Sequence, residues 1–157
     1  MGEQETSREQ QFKAVYALNY EEGTLRAVGL DEAGNVQEEM TLTTAGKPAK
    51  IRLTADKRQM KADGLDLIYV IAEVLDKEGR VMPIADNRLQ FTIKGAGVIE
   101  ATGSADLKDS ESYVNTSRKA WKGRAIAVVR SNGKTGKVTL RVSSPGLTSA
   151  SVVLTSR

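Results

Sequence analysis

Neither cysteine nor histidine occurs in the 157 residues. Their absence excludes disulfides, thiolate metal sites, cysteine nucleophiles, histidine zinc sites and every histidine-based triad. It leaves the compartment open, because a cysteine-free domain folds in either redox environment. Aromatic residues make up only 4% of the chain, so a core has to be built from Val, Ile, Leu and Ala. No run of about 18 apolar residues is present, which excludes a spanning helix. The opening MGEQETSREQ has no apolar centre and reads as a polar linker rather than a signal peptide. No segment carries an apolar stripe at the helical period.

What recurs instead is alternation. YEEGTLRAVGLDEAGNVQEE, residues 20–39, reads as a β-hairpin turning at DEAG, with at most one further strand and the polar leader upstream. TTAGKPAK then places Gly46 and Pro48 between two alternating runs, as a linker does. Beyond it Ile51, Leu53 and Ala55 share one face. In LDLIYVIAEVLD, 65–76, Ile68, Val70, Ala72 and Val74 face one way and Leu67, Tyr69, Ile71 and Leu75 the other. That second apolar set predicts a central strand covered on both faces, with Tyr69 in the core. RLQFTI, GAGVIEATG, RAIAVVRS, KVTLRVSS and ASVVLTS follow, with Phe91 inside. Turns fall at DKEG, NGKTG and PGLTS. The long polar stretch SADLKDSESYVNTS reads as a loop with an edge strand around Tyr113 and Val114.

These elements predict an all-β protein: an immunoglobulin-like antiparallel β-sandwich of about seven to eight strands with an extra N-terminal hairpin. The expected organisation is a disordered leader over 1–11, the C-terminal strands of a truncated preceding β-sandwich over 12–46, and the sandwich module over 47–157. Charge changes across the same boundary. Residues 1–40 hold three basic and nine acidic side chains, a net −6, and residues 41–157 hold twenty and eleven, a net +9. The lysines and arginines of KIRLTADKR and KVTLRV alternate singly with apolar residues, which marks the wet face of half-buried strands rather than a nucleic-acid surface.

Sites with inherent chemistry are few. Asp56, Asp63 and Asp66 surround the KADGLD turn and read as turn formers, their spacing being unlike an EF-hand loop. GAGVIEATG and NGKTGK lead into strands and lack the helix N-terminus that a phosphate cradle requires. No metal or cofactor site is expected, and no catalytic residue.

The residues 47–106, KPAKIRLTADKRQMKADGLDLIYVIAEVLDKEGRVMPIADNRLQFTIKGAGVIEATGSAD, resemble the C-terminal immunoglobulin-like domain of family 2 glycoside hydrolases of the β-galactosidase type. KAWKGRAIAVVRSNGKTGKVTLRVSSPGLTSASV is similar to the family's closing strands, and YEEGTLRAVGL to the hairpin ending the domain before it. Bacterial immunoglobulin-like domains of invasin type share part of this outline. The resemblance implies a non-catalytic accessory domain, its partners being the other domains of a parent hydrolase that cleaves terminal β-galactosides with retention. The catalytic carboxyl pair would sit on a separate barrel. It also implies a bacterial parent in the periplasm or outside the cell. Two alternatives are an adhesin-like spacer and a carbohydrate-binding module, the latter contacting β-galactoside or polysaccharide through Trp121 and Tyr113. Trp121, in RKAWKGRA, reads first as a lid over the open end of the sandwich and only second as a sugar platform. Neither a membrane nor a nucleic acid is expected as partner.

Overall fold

The computed structural model describes residues 2–157. The chain divides into two units, the first ending at Thr44 and the second running Ala45–Arg157. Among the described residues all regular structure is strand, and no helix is long and apolar enough to cross a membrane.

The first unit contains β1 (Thr24–Leu30) and β2 (Val36–Thr43), paired antiparallel from Thr24 opposite Thr43. Asp31 builds the turn. Its Oδ1 accepts the N–H groups of Ala33 at 3.0 Å and Asn35 at 2.8 Å. One face of the ladder carries Leu25, Leu42, Ala27 and Met40, and all of β1 and β2 is exposed. The run up to Tyr20 joins no ladder, so a hairpin forms here and not a three-stranded sheet.

The second unit is a sandwich. One sheet has four strands in the order β3 (Lys50–Ala55), β5 (Leu67–Leu75), β9 (Arg124–Ser131), β7 (Gly97–Gly103). The other has five, β4 (Gln59–Met60), β11 (Ala150–Ser156), β10 (Gly136–Ser143), β6 (Arg88–Gly95), β8 (Ser117–Lys119). Seven of these nine strands are six residues or longer, and β4 and β8 are short edge pieces. Period-two alternation sends one residue in two between the sheets. Ile68, Val70, Ala72, Val74, Ala127 and Val129 thereby meet Leu89, Phe91, Val138, Leu140, Val142 and Leu154 in one core.

The chain changes sheets between β6 and β7 through Gly95-Ala96-Gly97. Gly95 has φ +100° and a Cβ there would collide with the Lys137 carbonyl oxygen, so the crossing needs glycine. The glycines of GAGVIEATG therefore serve a change of sheet.

Two expectations are corrected by this arrangement. Strand β5 is central within its sheet, but its second face is covered only at the end: Leu75 is buried, whereas Tyr69 is 44% and Ile71 42% exposed. Tyr69 is not in the core. The sequence pattern shows that both faces are apolar, and only the second sheet decides which is buried. The edge strand of the polar loop also lies further on. Tyr113 and Val114 form a turn, closed by the Asn115 N–H donating to the Ser112 carbonyl at 3.2 Å, and the strand is Ser117–Lys119.

Candidate functional site

Trp121 lies where the chain leaves β8 in one sheet and enters β9 in the other. Its turn is tight. The Trp121 N–H donates to the Arg124 carbonyl at 2.8 Å and the Arg124 N–H donates back at 3.0 Å. The central residues Lys122 (φ 49°) and Gly123 (φ +76°) both have the positive φ that a type I′ turn requires. A Cβ on Gly123 would collide with the Met82 carbonyl oxygen. The Lys-Gly pair between strands was the available sequence signal for this turn, and the alternation reading passed over it.

Beside this turn is a cavity of about 200 Å³ lined by Asp86, Ser104, Asp106, Asp109, Glu111, Lys119, Ala120 and Trp121. Trp121 is 41% exposed, with the Lys122 ammonium 6.0 Å from its ring centroid. The Ser104 hydroxyl oxygen is buried and unpaired among the described residues. Three of the four carboxylates are already engaged. Lys119 Nζ lies 2.8 Å from Asp86, Arg88 grips Glu111 with two bonds of 2.7 and 2.9 Å, and Arg118 Nη1 donates to Asp109 at 2.7 Å. Asp106 forms no ion pair among the described residues and takes the Lys108 N–H at 3.0 Å.

The electrostatics follow from these contacts. The hydrogen bond and charge of Lys119 hold Asp86 below the usual carboxylate range. The Glu111 N–H, then Arg118, do the same for Asp109, and Arg88 does so for Glu111. A general acid working near neutral pH needs its carboxyl raised, by burial or a like charge. These three are driven the other way, so they offer acceptors and no proton.

The loop that carries them is organised by Arg118, a residue sequence reasoning missed. Arg118 is 1% exposed. Its Nη1 also donates to the Glu111 carbonyl at 3.2 Å, and its Nη2 to those of Thr102 and Ser112, both at 2.8 Å. The guanidinium also covers the Tyr113 ring, 5.5 Å from its centroid. The inward side of Arg118 follows from its pairing with Leu89, a core position, which the sequence does not display.

Tyr113 is exposed and does not line the cavity. Its ring lies over Gly103, beside Ile126, on the outer face of the four-stranded sheet. Of the two aromatic residues singled out from the sequence, Trp121 lines the cavity and Tyr113 does not. The three aspartates around the KADGLD turn bind backbone: Asp63 accepts the Leu65 and Asp66 N–H groups, Asp66 accepts those of Lys61 and Leu67, and Asp56 accepts that of Tyr69.

The family model of the glycoside hydrolase family 2 C-terminal domain 5 matches residues 51–153. The chain belongs to this family. β-Galactosidase BoGH2A of Bacteroides ovatus is 39% identical over 136 residues, which are 87% of this chain and 16% of that protein. A β-glucuronidase of Formosa agariphila is 31% identical over 140 residues, 87% of this chain and 14% of that one. Among solved structures, a glycosyl hydrolase family 2 member from Bacteroides cellulosilyticus superposes with a TM-score of 0.94 at 35% identity. That match covers 99% of this chain and 20% of the other. The family 2 domain therefore spans about a sixth of the length of the curated relatives it matches.

Proposed function

We propose that this family 2 domain is a non-catalytic accessory β-sandwich within a longer β-galactosidase-type hydrolase that cleaves terminal β-galactosides. Its work there is to pack against the other domains and to shape the approach to the substrate. The observation that carries the reading is the cavity chemistry within a family 2 C-terminal domain: its paired carboxylates are all pushed toward the charged form. Residues 12–46 are, on this reading, the closing strands of the preceding sandwich, because a two-stranded ladder with Leu25, Met40 and Leu42 exposed lacks the third strand or cover it needs. The test is an assay of the 157-residue chain on an aryl β-galactoside. No turnover is expected, and the complete polypeptide carrying Asp106→Asn or Glu111→Gln should keep its rate. Turnover by the short chain that Asp106→Asn abolishes would overturn the reading.

A second reading, favoured by the half-exposed Trp121 ring at the mouth of the cavity, is a carbohydrate contact there, with Tyr113 as a separate contact. Sugar C–H faces would stack on the indole while Asp106 and Ser104 take hydroxyl groups. A ¹⁵N–¹H titration with lactose and a longer galactan tests it: saturable shifts at Trp121 that Trp121→Ala removes would establish binding, and a spectrum that stays put would eliminate it.

A further inference from the structure

The two outer faces of the second unit differ in chemistry. On the five-stranded sheet the outward positions include Gln90, Thr92, Lys94, Thr139, Arg141 and Thr155, with Val153 the apolar exception. This is the wet face that an antiparallel sheet ordinarily presents. The four-stranded sheet is different. Two adjacent rows cross it, Thr54–Ile71–Ile126–Gly103 and Tyr69–Val128–Ala101, with the Tyr113 ring over Gly103. Ionic rows flank them. On one side Arg52 and Arg124 share the single carboxylate of Glu73, at 2.7 and 3.1 Å. On the other Arg130 pairs with Glu100 at 2.6 Å. An apolar centre rimmed by charged groups is the anatomy of a contact surface.

We infer that this outer face, centred on Tyr69, Ile71, Ile126 and Val128, docks another part of the same longer polypeptide, which brings a carboxylate to the Arg52–Glu73–Arg124 row. The inference rests on the reading of this chain as an accessory domain. Two observations select the occupant. The relatives are about six times longer than the segment matched here, so a covalently linked partner is on hand. Charge decides against a second copy. The rims of the face hold Arg52, Arg124 and Arg130 for Glu73 and Glu100, so two copies of this face repel and an acidic surface is attracted.

The test is hydroxyl-radical footprinting of the wild-type sequence, first as the 157-residue chain and then within the complete polypeptide. Tyr69 is expected to react in the short chain and to lose that reactivity in the complete one, while Val153 on the polar face reacts in both. Ile126→Arg in the complete polypeptide should restore the reaction at Tyr69. Equal reactivity of Tyr69 in the two wild-type proteins would overturn the inference. So would protection that rises with concentration of the short chain alone, which would assign the face to a second copy. The underlying reading fails separately: a complete polypeptide inactive on aryl β-glycosides removes the hydrolase assignment, whereas an active one with Tyr69 unprotected removes only the docking.

Discussion

Arg118 is the side chain on which the loop from 104 to 116 depends. It occupies an inward position opposite Leu89, and its two Nη groups donate to Asp109 and three carbonyls. Removing one partner of a buried, hydrogen-bonded ion pair typically destabilises by about 3–5 kcal/mol. Arg118→Ala is expected to fall in that range by urea unfolding, with faster amide exchange at Thr102, whose N–H donates to the Tyr113 carbonyl. Arg26→Ala breaks only the exposed pair with Glu39 and should leave the urea midpoint nearly unchanged. Asp76 governs pH dependence. The Gly46 N–H, then the Arg80 N–H and guanidinium, outweigh burial and lower its carboxyl from 3.8 to about 2. A depressed folded-state value favours folding wherever the unfolded carboxyl would bind more protons. The contribution is therefore present above about pH 4 and is lost as pH falls through about 2. Thermal melts of wild type and Asp76→Asn should be separated at pH 7 and converge across that interval. Of these two residues the DKEG turn made Asp76 legible in part, since an Asp at a turn binds backbone. Arg118 is not legible in this way, because alternation specifies two faces and charge alone then points to the wrong one.

Among the elements, the turn at Lys122 and Gly123 is the most exposed to test. A non-glycine residue in the left-handed region is strained, and Asn tolerates it better than Lys. Lys122→Asn should raise stability by about 0.5–1 kcal/mol in denaturant unfolding. Gly123→Ala should lower it by more than about 1 kcal/mol, since the methyl meets the Met82 carbonyl at a positive φ. The inward positions of the long strands were legible from alternation: Phe91, Val138, Leu140 and Val142 are buried where the period places them. Strand β5 was legible as central and misread as doubly covered. Both of its faces are apolar, so periodicity has no contrast from which to choose. The edge strand was misplaced for a related reason. Tyr113 and Val114 have high strand propensity, yet Arg118 draws the neighbouring carbonyls of Glu111 and Ser112 inward, and propensity yields to that tertiary contact.

Across the whole chain, stability is unevenly spread. The core lies entirely within the second unit, whereas both strands of the first are exposed along their length. Residues 45–157 alone are therefore expected to melt cooperatively close to the midpoint of the 157-residue chain, measured by circular dichroism. Amides of 24–43 should exchange well before those of 67–75, and equal protection would show that the hairpin has found a cover. The amino-acid sequence alone determined the all-β class and the sandwich, because strand period and turn residues are local properties carried by neighbouring positions, and its quoted runs carried the resemblance to the family. It also excluded thiol, imidazole and disulfide chemistry outright. Only the tertiary structure decided which apolar face is inside, that Arg118 is buried, and that Trp121 lines a cavity which Tyr113 does not. Those facts depend on which strands lie across the sandwich from one another, at sequence separations that no local pattern spans.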